Sequence, residues 1–487
     1  MATILEIHNS LRTVACNIGN VYLNAKCREK IWTIAGPEFG EDAGCVMIIT
    51  RALYGLKSSG AAWRAHFAET LSGLGYFPSK ADPDVWLKAA VAPDGHEYYA
   101  MILVYVDDVL HAHHDTKPVM QAIDSIYRLK EEADVPDRYL GANIDRVVVD
   151  GTVRFTMSSR DYIASSVANV EKTLIADGEP DRLTKYGKKA GSRPFPKEYR
   201  PECDTSPELD ADKASRYLQL IGVLRWSVEL GRIDINTEVS MLSQHQCLPR
   251  EGHLDAIYRI FWYLSKQISR GHEARIIFDP TRMNTDENLF SSATDWKDFY
   301  PDAEEAIPMN MPKPRGHSVK VSCYVDADHA SNRATRRSHS GILIYVQNTP
   351  IVWFSKRQNT VEASSFGSEL VALRIATEMI VALRYKLRMF GVPVDGPTDV
   401  FCDNKSVVTN TSVPTSTLSK KHNSICYHLV REAQAASIVR VAWISGDYNQ
   451  ADILTKSTLS TEKKFGICHE IYGWGRKDIF PFAAPSA

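Results

Sequence analysis

The chain has 487 residues, 44% hydrophobic and 24% charged, which excludes disorder, collagen and coiled coil as the main architecture and leaves room for about three domains of roughly 150 residues. Lys and Arg (57) nearly balance Asp and Glu (59), for a formal charge of -2, so any nucleic-acid contact must come from local basic patches. No run of about 18 apolar residues occurs, and the start MATILEIHNSLRTVA lacks a basic segment followed by an apolar one, which predicts an intracellular protein, cytoplasmic or nuclear, with no membrane partner.

Residues 1–165 mix strand-like runs (YYAMILVYV, VLHAHH, RVVVDGTVRFTM) with a helical stretch around AAWRAHFAETLSGLG, the texture of a mixed α/β unit. Within it, ILVYVDDVLHA sets apolar runs on either side of Asp107 and Asp108, as in a hairpin whose turn presents two acids. A polar turn is one reading; a bound metal ion, which relieves repulsion between adjacent carboxylates, is the other. The cluster His111, His113, His114 and Asp115 reads as a strand end more readily than as a zinc site. The nine cysteines include no CxxC pair or zinc-knuckle spacing and read as buried free thiols.

Residues 166–212 contain the Pro-, Ser- and charge-rich GKKAGSRPFPKEYRPECDTSPELD and are predicted as a linker. Over 213–280, Tyr217, Ile221, Leu224 and Val228, then Leu254, Ile257, Tyr258, Phe261 and Leu264, recur at helical spacing and predict two packed helices, Gly231 ending the first and Pro249 preceding the second. Residues 281–317 form a second linker ending in MNMPKPRGH. A domain follows over 318–457, leaving 458–487 as a tail.

In that domain the predicted order is three strands (VKVSCYVD, SGILIYV, PIVWFS), a long helix over about 363–389, a strand (TDVFC), a short helix, a helix over about 420–436, a strand (IVRVAWIS) and a last helix from near Tyr448. This predicts a mixed sheet flanked by helices. Asp326 ends the alternation Val319, Val321, Cys323, Val325, and Asp403 lies between the run VFC and Asn404, so it is a helix cap or a site acid. Stepping back four from the apolar stripe of Leu373, Ala376, Ile380, Leu383 and Leu387 reaches Glu369, a carboxylate on the inward face that needs a compensating partner. Asp452 in QADILTK is either ordinary first-turn acid placement or the fourth member of a set. Four converging carboxylates suit two divalent ions about 3.5–4 Å apart, the arrangement for in-line displacement at phosphorus.

The segments YVDADHA, SGILIYV…PIVWFSKRQNTVEASSFGSEL, CDNKSV, KHNSICYHLVRE and ADILTK resemble the ribonuclease H domain of copia-type retrotransposon polyproteins. The resemblance implies a ribonuclease H-like mixed sheet, Asp326, Glu369, Asp403 and Asp452 as catalytic acids binding two Mg²⁺ or Mn²⁺ ions, and the RNA strand of an RNA/DNA hybrid as substrate. Contacts with the 2'-hydroxyls and the minor groove would distinguish the hybrid from duplex DNA. Arg333, Arg336 and Arg337 are phosphate contacts or a solvated loop, and Lys421, His422 and His428 match a family segment without an assigned role.

RALYGLKSSGAAW, LGYFPSKADPDVWLK, the Asp107–Asp108 hairpin and RYLGANI resemble, in that order, the reverse transcriptase palm of the same elements. YLQLIGVLRWSVELGRIDI and HLDAIYRIFWYLSK resemble the helical segment joining the two enzymes. The resemblance implies a palm-like α+β part, a helical connection, a template-primer partner, and Asp107 and Asp108 as metal-binding catalytic acids. Asn17 stands where the family's first metal-binding aspartate lies; losing that charge predicts at least about 3 kcal/mol of lost transition-state stabilisation. Only sixteen residues precede Asn17, where the family has a fingers region, so the chain is expected to begin inside the palm. These features predict an impaired RNA-directed DNA polymerase beside a two-metal ribonuclease H, the alternative being an inactive relic or a non-catalytic nucleic-acid-binding protein.

Overall fold

The computed structural model describes residues 9–187, 192–291, 295–418 and 421–481, without side chains at 480 and 481. Strand β1 (Arg12–Asn17) is followed by a separate hairpin, β2 (Trp32–Ile34) with β3 (Val46–Ile48), and by helix α1 (Ser59–Gly73). Strands β4 (Phe77–Pro78), β5 (Val85–Val91), β6 (Glu97–Tyr105) and β7 (Asp108–His113) complete an antiparallel sheet in the order β1-β7-β6-β5-β4. Trp63, Phe67 and Leu71 recur every fourth residue on α1 and share a core with Tyr98, Ala100 and Ile102, which alternate along β6. Tyr99 and Met101, on the other face, join the core of the C-terminal domain. Burial on both faces explains why this strand reads as one unbroken apolar run.

Helix α2 (Lys117–Ile126) and strands β8 (Arg138–Tyr139), β9 (Ala142–Val149) and β10 (Thr152–Ser158) follow. The β9–β10 hairpin leaves the first sheet and pairs with β11 (Arg275–Ile277) and β17 (Ile479–Pro481), in the order β11-β10-β9-β17. Helix α3 (Arg160–Ala176) runs across the predicted boundary at 165, and its Val167, Val170 and Leu174 are buried. The predicted linker thus begins inside a core helix, because the polar residues on the solvent face of α3 dilute its apolar stripe. Helices α4 (Ala211–Glu229), α5 (Asn236–Leu242) and α6 (Glu251–Ser269) pack with α3. Gly231, at φ +102°, follows α4, and Pro249 precedes α6, as predicted.

The third sheet comprises β12 (Val321–Asp328), β13 (His339–Val346), β14 (Thr349–Arg357), β15 (Thr398–Cys402) and β16 (Val439–Trp443), in the order β14-β13-β12-β15-β16. The first three are antiparallel, while β15 runs parallel to β12 and β16. Helices α7 (Ser365–Met389), α8 (Lys405–Ser412) and α9 (Ser424–Ala435) flank it. The predicted helix from Tyr448 is instead two 3-10 turns, Gly446–Tyr448 and Gln450–Leu454. Asn449 between them accepts from the Ala451 N–H, a local bond that competes with an α-helix, and donates to the distant Val325 carbonyl of β12. The predicted tail is structural: helix α10 (Thr461–Tyr472) buries Ile467, Cys468, Ile471 and Tyr472, and β17 pairs with β9. Its charged first turn, TEKK, hid that stripe.

The helical segment covers the edge of the third sheet. Asn236 and Ser240, one turn apart on α5, donate to the Trp353 and Ser355 carbonyls of β14 at 3.3 and 2.8 Å, satisfying alternate acceptors of an open edge. The Trp353 indole N–H returns a bond to the Val228 carbonyl at 2.9 Å. On the other side, Gly391 (φ +72°) lies so close to the Tyr99 ring that any Cβ would overlap it. The Tyr99 hydroxyl donates to the Lys313 carbonyl at 2.9 Å, tying the first sheet to the segment that leads into β12.

Candidate active site

Strand register brings the C-terminal acids together. Asp326 lies near the end of β12, where β15 runs parallel and delivers Asp403 just beyond its own last residue. Glu369 occupies the first turns of α7, whose apolar stripe packs on the sheet. Asp452 is carried by the second 3-10 turn. That turn reaches the sheet because position 341, paired with Asp326, is glycine; a Cβ there would lie 2.8 Å from the Ala451 carbonyl and 2.7 Å from Thr455. Oxygens of Asp326, Asp403 and Asp452 lie within 4.8 Å of one another, as do ligand atoms of Glu369, Cys402 and Asp403. Asp403 therefore belongs to both triplets. It is not the helix cap: Asn404 fills that position, accepting from the Val407 N–H at 3.2 Å.

Three of the four acids are buried, Asp326 and Asp452 at 1% exposure and Glu369 at 6%. Burial, with the charge of Asp452, pushes the Asp326 carboxyl up to about 7 against the pull of Lys456. Burial and the neighbouring Asp326 and Asp403 push Glu369 well above the ordinary carboxylate range, and burial also raises Asp403. The Glu369 Oε2 is buried without a hydrogen-bond partner. Carboxylates so placed are short of positive charge.

Part of that charge is internal, from residues the sequence reading passed over. Lys456 Nζ lies 2.5 Å from Asp452 and 3.3 Å from Asp326; burial disfavours its charge, but Asp326 and Asp452 outweigh this and hold the ammonium more firmly protonated than usual. Lys463 also pairs with Asp452, and the Thr455 hydroxyl donates to Asp326. The signal for Lys456 was its place four residues after Asp452, a side-chain pairing distance. Lys463 and Thr455 carried none.

The N-terminal acids sit differently. Tyr105 and Asp108 close the β6–β7 hairpin through Val106 and Asp107, with Val106 at φ +56°, an uncommon conformation for a β-branched residue. The Trp63 indole N–H donates to its carbonyl at 2.7 Å. Asn17, paired with Asp108 across β1 and β7, donates its amide to the Asp108 carboxylate at 2.8 Å. Lys130 pairs with Asp107 at 3.1 Å, both side chains partly solvated. The Asn17 Oδ1 is buried and unpartnered.

The remaining candidates lie apart from these clusters. His111 and His114 are hydrogen-bonded to the Tyr76 and Tyr98 hydroxyls, and burial lowers His111 to about 3; among the described residues these histidines form no ligand cluster with Asp115. The thiols are free, but only Cys16, Cys323, Cys402 and Cys468 are buried, while Cys45, Cys203 and Cys247 are exposed. Those three lie outside the packed faces of the sheets and helices, where a thiol has no core to enter. Arg333, Arg336 and Arg337 occupy the β12–β13 loop, the Arg333 N–H donating to Glu202 at 2.9 Å. Lys421 is exposed, His422 approaches Glu362 at 3.8 Å, and His428 bonds the Tyr300 hydroxyl.

Residues 5–178 match the family model described as reverse transcriptase (RNA-dependent DNA polymerase), and the mixed α/β domain that carries the four acids lies outside that match. Over most of its length the chain is similar to retrotransposon Pol polyproteins. It is 23% identical over 456 residues to the Pol polyprotein of transposon RE2 of Arabidopsis thaliana, covering 90% of this chain and 26% of that protein. It is 24% identical over 482 residues to that of transposon TNT 1-94 of Nicotiana tabacum, covering 97% and 32%. The chain thus spans about a quarter to a third of those polyproteins. The putative transposon Ty5-1 protein of Saccharomyces cerevisiae is 24% identical over 70% of this chain and 92% of its own length. Among solved structures, the N-terminal RNase H domain of a Mycobacterium tuberculosis protein is 18% identical over 31% of this chain and 98% of that one, with a TM-score of 0.22. LC11-RNase H1 in complex with RNA/DNA hybrid is 17% identical over 28% and 94%, with a TM-score of 0.24. Among the described residues no helix is long and apolar enough to cross a membrane.

Proposed function

We propose that the C-terminal domain, over 318–457, hydrolyses the RNA strand of RNA/DNA hybrids, and that the N-terminal segment is a reverse transcriptase palm of impaired polymerase activity. The observation that carries the first part is the convergence of Asp326, Glu369, Asp403 and Asp452, with the Glu369 Oε2 buried and unpartnered. Four carboxylates, hard oxygen donors, fit Mg²⁺ or Mn²⁺, with the Cys402 thiol, which burial keeps protonated, beside Glu369 and Asp403. The four acids would hold two such ions, which when bound supply an activated water and stabilise the leaving oxygen.

The chain's own residues prepare the site. Gly341 admits the turn bearing Asp452. Asn449 fixes that turn to β12, and Lys456, paired with both Asp326 and Asp452, offsets their mutual repulsion. In the palm, Asn17 supplies an amide where a third carboxylate would add charge, and its NH₂ engages Asp108. A hard divalent ion is held less firmly by an amide and two acids than by three acids.

The test is Mg²⁺-dependent cleavage of a labelled RNA/DNA hybrid by the full chain, with an all-DNA duplex and Asp403→Asn as controls. Cleavage confined to the RNA strand and lost in the variant is expected. A folded chain that leaves the hybrid intact would retire the hydrolase reading in favour of an inactive relic or a binding protein.

A further inference from the structure

We propose that the groove between helices α4 and α5 and strand β14 is a phosphate-binding track, holding the backbone of the hybrid whose scissile bond lies at the four acids. The inference rests on the hydrolase reading for its substrate and on a separate part of the surface for its evidence.

Sheet register locates the groove. Asp326 pairs with Gly341, and Gly341 with Ser355; Ala327 and Asp328 lead in the same way through Ser340 and His339 to Lys356 and Arg357. The two cations therefore leave the sheet at the end where the acids lie, two strands away, about 10 Å at the usual inter-strand spacing. Arg225, from α4, lines the same groove, which has a volume of about 480 Å³.

Charge and hydrogen bonding select the ligand. Among the described residues no carboxylate pairs within 4.0 Å with Arg225, Arg337, Lys356 or Arg357. Glu229 is the acid in the groove wall, and Glu202 is the acid whose charge reaches Arg357. Burial and the like charge of Arg337 both work against the Arg357 guanidinium, a juxtaposition that a polyanion relieves. Most other polar groups of the wall are engaged within the protein, Asn236 and Ser240 donating to β14, Ser243 to Val239 and Gln244 to Ser240, which leaves Asn359 beside the cations. Recognition in this groove thus falls mainly to positive charges, which read phosphate rather than base edges. An acidic protein would satisfy the same charges, but the alignment with the catalytic end of the sheet favours the nucleic acid.

The experiment measures binding of an RNA/DNA hybrid to the full chain by fluorescence anisotropy in EDTA, between 50 and 200 mM KCl, beside an Arg225→Gln/Lys356→Gln/Arg357→Gln variant. The expected result is at least about a tenfold loss of affinity at the lower salt, and a slope of log K against log salt shallower by about 2–3. Unchanged affinity and slope in a variant that melts like the parent would overturn the proposal, and would be the outcome if the groove seats an acidic protein. Should the triple variant melt early, Lys356→Gln alone replaces it, its exposed side chain leaving the core intact, with an expected slope change of about 1. A parent that binds through these residues but does not cleave hybrid would retire the hydrolase reading and keep the track. A parent that cleaves, beside a variant equal to it in affinity and cut positions, would retire the track alone.

Discussion

The two acidic clusters of this chain differ in where the compensating charge comes from. At the C-terminal cluster, four carboxylates from four elements meet in a largely buried setting, and Lys456 and Lys463 engage Asp452 while Glu369 Oε2 finds no partner. At the N-terminal hairpin, two partly solvated acids are already matched, Asp107 by Lys130 and Asp108 by the Asn17 amide. The unpartnered oxygen at the first belongs to a carboxylate, Glu369 Oε2, whereas at the second it belongs to a neutral amide, Asn17 Oδ1. The difference lies less in the number of acids than in what the neighbouring elements have done with them.

Asp403→Asn strikes the one acid common to both triplets, and hybrid cleavage by this variant is expected to fall at least about a hundredfold, as for loss of a preorganised charge-stabilising group, in a gel assay at saturating Mg²⁺. Lys456→Met tests the internal counter-charge. Leaving a part-buried carboxylate without its partner costs about 1–3 kcal/mol, so a drop in melting temperature is expected in EDTA, with a larger rise on adding Mn²⁺ than the parent shows. An unchanged melt would mean that the lysine does not neutralise the cluster. Gly341→Ala forces a Cβ against the Ala451 carbonyl and is expected to cost about 1–3 kcal/mol, read by thermal melting, with loss of cleavage as the Asp452 turn is pushed away.

The pH dependence follows from the raised carboxyls. Asp326 titrates in the folded chain near 7, against about 3.9 when unfolded, so the folded state binds the extra proton. Its contribution to stability is complete below the unfolded value and is lost as pH rises through 7. Glu369 and Asp403 are raised in the same direction. In EDTA the melting temperature should therefore be lower at pH 8.5 than at pH 5.5, and Mg²⁺ should narrow the gap. The smallest effect is expected at the other cluster. Asn17→Asp removes the amide donor and adds a third charge, so it should tighten Mn²⁺ binding by calorimetry and slightly lower the metal-free melt; no change in Mn²⁺ binding would mean that position 17 is not what weakens that site.

Much of this was legible in the sequence, because strands buried on alternating faces and amphipathic helices announce themselves. Leu373, Ala376 and Ile380 placed Glu369 on the inward face of α7, where it lies. What stayed hidden was set by contacts across the chain. Asn449 reads as an ordinary polar residue, and only its bond to Val325 shows why the chain turns there instead of continuing as a helix. Gly341 reads as one small residue in an apolar strand, and its role depends on the approach of Ala451 from more than a hundred residues away. The β9–β17 pairing was illegible for the same reason, since three residues near 480 carry no alternation long enough to read.

The bonds from Asn236 and Ser240 to β14 also bear on how this domain can be handled. A fragment cut at residue 318 would keep all four acids but leave the backbone acceptors of β14, together with Trp353 and Phe354, open to water. Such an edge is a template for another strand, so the excised domain would be prone to self-association. Keeping the chain from Ala211 onward leaves that edge closed by its own helix, and makes the helical segment a built-in guard against aggregation.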